Sequence, residues 1–273
     1  MIVAAILTLL MTGPATAADG GVLVFGGTGR LGAEVVKLLV AADEDVTVFT
    51  RANSSRELLA GLKVDYAVGD LGDDASIAAA FDAHSYRAVV DASAERGGTR
   101  GRGGQSAASG PVRDSKGFYE KAMRSIASHA KRTGVKQFVL HGSVLAGDNI
   151  ELFPRFAFLK GSTTLVDKGK AEKLLIESGV PYCIIRHGRV PNDPQPQPTG
   201  NAYLSTDQTI FADMTRGDLA MLTLDCLDNP ARMNRVYHAY DPTFKMDRPL
   251  PTGPGDLRNR RGPEGANPEG ANP

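Results

Sequence analysis

The sequence predicts an α/β protein, a doubly wound parallel sheet with a small C-terminal lobe. Three observations predict it. Val22 to Phe25 form a continuous apolar run, the pattern of a strand buried on both faces. A glycine cluster follows, and then Leu31, Val35, Val36 and Leu39 recur at helical spacing. Beyond them, strand and helix patterns alternate with short connections, which implies parallel strands with helices on both faces. The chain has 273 residues, 42% of them hydrophobic, enough for one large domain with a substantial core.

The glycine run reads Val-Leu-Val-Phe-Gly-Gly-Thr-Gly-Arg-Leu-Gly over 22–32. Gly27, Gly29 and Gly32 satisfy G-x-G-x-x-G, and Gly26, Gly29 and Gly32 the looser G-x-x-G-x-x-G, with Thr28, Arg30 and Leu31 between them. One glycine takes a backbone conformation that a side chain resists, a second lets the main chain approach a pyrophosphate, and a third lets helix and strand pack closely. The following helix points free N–H groups at phosphate. Between a strand and a helix, this motif points to a Rossmann-type dinucleotide site; the plain alternative is a glycine-rich turn.

The remaining elements follow in order. Val46–Thr50 reads as a strand, Arg56–Leu62 as a short helix capped by Ser54 or Ser55, and Val64–Val68 as a third strand. Asp74–Phe81 reads as a helix with Asp73 as its cap, and Arg87–Asp91 as a fourth strand. A helix over about 115–132 carries Phe118, Ala122, Ile126 and Ala130 on one face, and leads to a strand over Gln137–Leu140. Thr163–Ser178 is helical and stopped by Gly179; Pro181–Arg186 is the sixth strand. Thr215–Leu227 has Leu219, Leu222 and Cys226 on one stripe, and Arg235–Ala239 closes the sheet.

The Rossmann domain therefore spans 19–246, with an insertion at 95–113 and a small substrate-side lobe at about 187–234. The Gly-, Arg- and Ser-rich insertion reads as a solvated loop or a lid. Residues 247–273 lose periodicity and end in a repeat of Pro-Glu-Gly-Ala-Asn, a composition that does not build a core. At the other end, Ile2–Met11 is apolar and Ala15-Thr16-Ala17 resembles a cleavage site, so residues 1–18 read as a signal segment or a misread start. With Met11 as the true initiator the protein is cytoplasmic; otherwise it is exported. The apolar run is too short for a stable membrane span.

Lys plus Arg equals Asp plus Glu, 31 each, which argues against nucleic acid as a partner. A small-molecule substrate fits better, with the chain a monomer or homodimer. Cys183 and Cys226 lie in apolar stretches without metal-ligand spacing; no metal site is expected, and two buried free thiols are favoured over one disulfide.

NAD-specific sites place an acid at the end of the second strand to accept from the ribose 2′-hydroxyl. Here that strand ends in Phe49-Thr50-Arg51. Arg51 offers a fork of donors suited to a 2′-phosphate, so NADP(H) is preferred over NAD(H); otherwise Arg51 is a surface residue near a helix start. Gly69-Asp70-Leu71 follows the third strand, where an aspartate either accepts from the adenine amino group or serves the turn.

With these motifs in place, the chain resembles the atypical short-chain dehydrogenase/reductase superfamily, in its NmrA-like, NAD(P)H-binding branch, from about Gly21 to Asp241. The resemblance rests on Val-Phe-Gly-Gly-Thr-Gly-Arg-Leu-Gly (24–32), Val-Gly-Asp-Leu (68–71), His-Gly-Ser (141–143), the run from Lys168 to Arg186, Thr-Arg-Gly-Asp-Leu-Ala (215–220) and Asn-Arg-Val-Tyr-His (234–238). It implies that Gly26 to Gly32 hold the pyrophosphate, that Asp70 and Leu71 meet adenine, and that Ala92 and Ser93 lie along the cofactor. The superfamily's usual catalytic set is a serine with Tyr-x-x-x-Lys. Ser143 fits the serine, and Lys168, with Glu172 four residues on, fits the lysine that holds the nicotinamide ribose. The tyrosine position is then Thr164, and an aliphatic hydroxyl is a far weaker acid; the register through Lys170 puts Val166 there instead.

Other groups are available as the proton donor. His141 and His187 stand at the carboxyl ends of their strands, the edge where ligands bind, and imidazole titrates near neutrality. Tyr119 follows the insertion and also offers a phenol. Arg186, His187 and Asn192 border the substrate side. Three functions stay open: an NADPH-dependent oxidoreductase acting on a small carbonyl or alkene, a non-catalytic NADP-binding sensor of NmrA type, and a nucleotide-sugar epimerase-like enzyme. The last needs the Tyr–Lys pair most strictly and usually a larger lobe.

Overall fold

A computed structural model of the chain describes residues 20–95, 117–191, 195–247 and 249–253. Residues 1–18, most of the 95–113 insertion, Asn192 and nearly all of the tail lie outside the described residues. The strands are β1 (Gly21–Phe25), β2 (Val46–Thr50), β3 (Asp65–Val68), β4 (Tyr86–Asp91), β5 (Gln137–Ser143), β6 (Tyr182–His187), β7 (Tyr203–Ser205) and β8 (Arg235–Tyr240). The α-helices are α1 (Arg30–Ala41), α2 (Asp74–Ala83), α3 (Phe118–Arg132), α4 (Thr163–Ser178) and α5 (Arg216–Cys226).

The sheet order is β3-β2-β1-β4-β5-β6-β8-β7. All pairings are parallel except β7 with β8 at the edge. Chain order reverses between β1 and β4, so their carboxyl ends open a crevice where doubly wound sheets bind ligands. One face of the sheet packs Val35, Val36 and Leu39 of α1 and Leu219, Leu222 and Cys226 of α5. The other packs Ile77 and Phe81 of α2, Met123 and Ile126 of α3, and Ala171 and Leu175 of α4. The period-3.6 stripes are the buried ones, which is why the sequence pattern located these helices.

Local signals fix the helix ends. Asp73 Oδ1 accepts from the Ala75 N–H at 3.2 Å, capping α2 as its position suggested. Ser162 Oγ accepts from Leu165 N–H at 3.4 Å at the start of α4, and Gly179, at φ +81°, ends it. Thr215 Oγ1 accepts from Asp218 N–H at 3.0 Å at the start of α5.

The structure differs from the sequence pattern in several places. β5 continues through His141, Gly142 and Ser143, which pair with Ile185, Arg186 and His187 of β6. A histidine and a glycine break the apolar run, but backbone pairing does not depend on side-chain polarity. The short β7 and the 3-10 turns at Gly147–Leu152 and Pro154–Leu159 carried no periodic signal. Those turns supply Ile150, Phe153, Phe156 and Leu159 to a third apolar cluster with Val144, Leu145 and Leu165. The lobe therefore draws on residues ahead of the 187–234 range. Packing also runs past residue 246: Arg189 Nη1 donates to the Pro249 carbonyl at 3.1 Å, and Pro251 is buried. The expectation of two free thiols is corrected too. Cys183 of β6 and Cys226 of α5 face each other with Cα atoms 6.3 Å apart and are joined as a disulfide. Among the described residues no helix is long and apolar enough to cross a membrane.

The tightest packing joins β1 to α1. A Cβ on Gly32 would lie 2.2 Å from the Gly26 carbonyl oxygen. Gly32→Ala is expected to lose about 2 kcal/mol or more in urea unfolding, because backbone atoms must shift. Gly61→Ala is the contrasting control: its φ is +79° but no atom lies near its Cβ position, so its cost is backbone strain of about 1 kcal/mol.

Candidate active site

The loop from Gly26 to Gly32 closes the carboxyl end of β1 onto α1. Gly26 has φ +76°, and its missing Cβ leaves room for the Ala92–Ser93 backbone, whose nearest atom would lie 2.6 Å away. Its carbonyl accepts the Gly29 N–H at 2.8 Å. Gly29 is the N-cap of α1 and brings no capping side chain, and the first turn has no acid. That helix end carries a positive partial charge and no internal counterpart, which suits a phosphate. Gly29 itself has ordinary dihedrals, φ −81° and ψ 166°, and a Cβ there would meet the Gly26 oxygen at 3.1 Å as its sole near neighbour. The fold demands glycine less here than at Gly26 or Gly32. These features fit a dinucleotide pyrophosphate.

Arg51 is exposed at the end of β2, next to the crevice, with its carbonyl accepting from Ser54 N–H at 3.1 Å. Arg56 lies over the Tyr66 ring at 4.0 Å from its centroid. Asp70 is exposed, and its Oδ1 accepts the Gly72 N–H at 2.8 Å, an Asx turn. One carboxylate oxygen thus serves the turn that the sequence left as the alternative role. Leu71 is half-buried beside it.

At the end of β4, Ala92 N–H donates to Phe25 O at 3.0 Å and Ser93 N–H to Asp91 Oδ1 at 2.8 Å. Asp91 lines a cavity between the sheet and helices α3 and α4, together with Ser93, Tyr119, His141, Lys168 and Glu172. Burial pushes the Asp91 carboxyl up; its bonds to Ser93 and the Lys168 charge oppose that. Lys168 projects from α4 with its Nζ 5.0 Å from the Tyr119 ring centroid. Asp167, the preceding residue, caps α3: its two oxygens accept from the N–H groups of Tyr119 and Glu120, each at 3.0 Å. Consecutive side chains of α4 thus pin the start of α3 and face its tyrosine.

One turn further along α4, Glu172 is 3% exposed and accepts from Arg186 Nε at 3.1 Å and Nη2 at 2.6 Å. Arg186 Nη1 donates to Gln208 Oε1 at 3.0 Å. The Arg186 fork, expected to border the substrate, is thus engaged by protein groups. The other Glu172 oxygen, Oε1, is buried without a hydrogen-bond partner, and a Cβ on Gly142 would lie 2.3 Å from it. Gly142 in His-Gly-Ser is therefore space for a carboxylate. Burial raises the Glu172 carboxyl, with Arg186 and Lys168 pulling the other way.

His141 is buried, and burial first, then the coupling to His187 and the Lys168 charge, lowers its pKa to about 3. Thr223 Oγ1 donates to Leu219 O at 2.8 Å, so it accepts from His141 Nε2 at 2.8 Å. That leaves Nδ1 as a buried lone pair without a partner. Burial thus favours the neutral imidazole. His187, 6.1 Å from it ring to ring, is likewise lowered, to about 4, by burial and Lys168, and its Nδ1 donates to Gly188 O at 3.1 Å. Ser143 Oγ donates to the Val144 carbonyl at 3.0 Å at the end of β5. Thr164 stands one turn before Lys168 on α4, half-buried, and is not among the residues lining the cavity. The structure thus gathers Lys168, His141 and Ser93 from the residues expected at the site. It adds Asp91 and Tyr119, and it gives a buried structural role to Glu172, which the sequence offered only as a marker of register. Asp91 gave no signal beyond ending an apolar strand.

Comparisons with known proteins identify the family and the fold. A family model described as NAD(P)H-binding matches residues 26–230. An uncharacterised chloroplastic protein of Arabidopsis thaliana is 31% identical over 192 residues, 67% of this chain; the chain spans 57% of that protein's length. Among solved structures, ChuY, an anaerobillin reductase from Escherichia coli O157:H7, superposes with TM-score 0.67 at 23% identity, covering 83% of this chain and 99% of that one. A short-chain dehydrogenase/reductase from Veillonella parvula in complex with NADP gives TM-score 0.62 at 15% identity, covering 84% and 98%. At these identities the structural likeness shows the fold.

The neutral His141 makes stability depend on pH. Its folded pKa, about 3, lies below the ordinary 6.5, so the unfolded chain takes up the proton first. The stabilisation is complete above about pH 6.5 and falls away as the pH drops toward 3. Between pH 7 and pH 5, wild type is expected to lose about 2 kcal/mol more than His141→Gln in urea unfolding. Parallel pH dependences of the two proteins contradict the assignment.

Proposed function

This chain belongs to the NAD(P)H-binding family, and we propose that it is an NADPH-dependent oxidoreductase of the short-chain dehydrogenase/reductase type, acting on a small carbonyl or activated alkene. The observation that carries the reading is Lys168. Its ammonium lies in a cavity at the carboxyl edge of the sheet, lined also by Asp91 and Ser93, next to the crevice that the glycine loop closes.

In this reading, the loop Gly26, Gly27, Thr28, Gly29, Arg30, Leu31 and Gly32 holds the pyrophosphate through backbone N–H groups and the positive end of α1. Arg51 takes the 2′-phosphate, Asp70 and Leu71 flank adenine, and Ala92 and Ser93 run along the cofactor. Lys168 holds the nicotinamide ribose. The bound dinucleotide supplies hydride chemistry. Ser143 orients the substrate once its hydroxyl turns from the Val144 carbonyl. His141 and His187 stay neutral and present lone pairs, so they accept hydrogen bonds. ChuY's description as a reductase and the NADP held by the Veillonella protein support the assignment by analogy of fold. Thr164 favours the second reading, an NADP-binding sensor without turnover, since it cannot act as the usual tyrosine does.

The chain has no tryptophan, so binding is read cleanly from nicotinamide fluorescence. NADPH is expected to bind more tightly than NADH. Arg51→Ala is expected to weaken NADPH about 10-fold or more, the value of a charged hydrogen bond, and to leave NADH unchanged. Tighter binding of NADH contradicts the Arg51 assignment. Binding of NADPH with no oxidation by aldehydes, quinones or enones favours the sensor.

A further inference from the structure

The catalytic set lacks a phenol on α4, yet the cavity has one from another helix. We propose that Tyr119 of α3 is the proton donor, paired with Lys168 across the α3–α4 contact in place of the Tyr-x-x-x-Lys of a single helix. The proposal rests on the oxidoreductase reading.

Four observations place Tyr119 in that role. Its ring lines the cavity shared with Asp91, Ser93, Lys168 and Glu172. The Lys168 ammonium stands over the ring, 5.0 Å from its centroid, so a cation packs directly against the phenol. The Glu95 N–H donates to Tyr119 Oη at 3.1 Å. With that lone pair occupied from the protein side, the hydroxyl proton is left to point elsewhere, and the cavity is the adjoining space. Finally, the Tyr119 N–H is held by Asp167, the neighbour of Lys168 on α4. A single α4 dipeptide therefore fixes both the position of the phenol and the charge beside it.

The chemistry balances as carbonyl reduction. Tyr119 gives its phenolic proton to the carbonyl oxygen, while the carbonyl carbon gains a hydride with its electron pair from the reduced nicotinamide. The products are an alcohol, the oxidised nicotinamide and a phenolate, which Lys168 and the Glu95 N–H stabilise until solvent returns the proton. Thr164 is then relieved of any proton-transfer role, which accounts for a threonine being tolerated there.

Two measurements on the full chain test this. In the cofactor-free protein with isotope-labelled tyrosine, the NMR resonance that Tyr119→Phe removes is expected to move in Lys168→Met and to stay in place in Lys173→Met, which alters an exposed lysine on the same helix. A resonance indifferent to Lys168→Met overturns the pairing. With NADPH and 4-nitrobenzaldehyde as the probe substrate, Tyr119→Phe is expected to lower kcat about 100-fold, the usual share of a general acid, and to leave NADPH affinity within about twofold. Tyr119→Phe turnover within about threefold of wild type overturns the proposal and leaves the reductase reading standing. A wild type that binds NADPH and leaves the aldehyde unreduced overturns carbonyl reduction and Tyr119 as its acid together.

Discussion

Gly32 passes the carbonyl oxygen of Gly26 so closely that a side-chain carbon there would lie 2.2 Å from it. That approach brings α1 against the end of β1 and turns the helix N-terminus toward the crevice at the β1–β4 switch. The same turn sets Gly26 against Ala92 and Ser93, so the ends of β1 and β4 are fixed relative to each other. Backbone close packing has no cheap substitute, because a main-chain atom cannot move aside as a flexible side chain does. The path of the glycine loop and its seat against the backbone that follows Asp91 depend on these contacts.

A second organisation, of charge, is built around it at the carboxyl edge. Asp91 and Glu172 are buried carboxylates, Arg186 engages Glu172, and Lys168 lies in the cavity that both carboxylates line. Burial, with the Lys168 charge adding to it, lowers the pKa of both His141 and His187. One cation thus biases each titratable neighbour: carboxylates toward their charged form, imidazoles toward their neutral form. Breaking the Glu172–Arg186 pair by changing one partner would strand the other charge in a dry environment, which is far more costly than losing an exposed pair. The motifs His-Gly-Ser and Lys-Gly-Lys-Ala-Glu are joined by this pair, since Gly142 makes room for Glu172.

Much of this was legible in the residues. The glycine turn between β1 and α1 and the five α-helices announce themselves through short-range signals: backbone sterics and periodicity. Asp73 and Gly179 acted as the helix signals they looked like. What escaped was whatever depends on two distant segments meeting. The hydrogen-bond partner of His141 Nε2 is Thr223, 82 residues away. Tyr119 was readable as a phenol, but its contact with Lys168 follows from the capping of α3 by Asp167. The pairing of Cys183 with Cys226 needed β6 and α5 side by side. β7 and the 3-10 turns after β5 have neither period nor length, so tertiary packing alone defines them.

The central claim is that NADPH lies across the β1–β4 switch, cradled by the glycine loop and reaching Lys168. Hydrogen exchange read by mass spectrometry, with and without saturating NADPH, tests it directly. The account predicts slower exchange over residues 26–33, 91–95 and 165–172, with no change at the opposite edge of the sheet around Asp45 and Arg87. Protection confined to other segments, or none despite saturating NADPH, would contradict it.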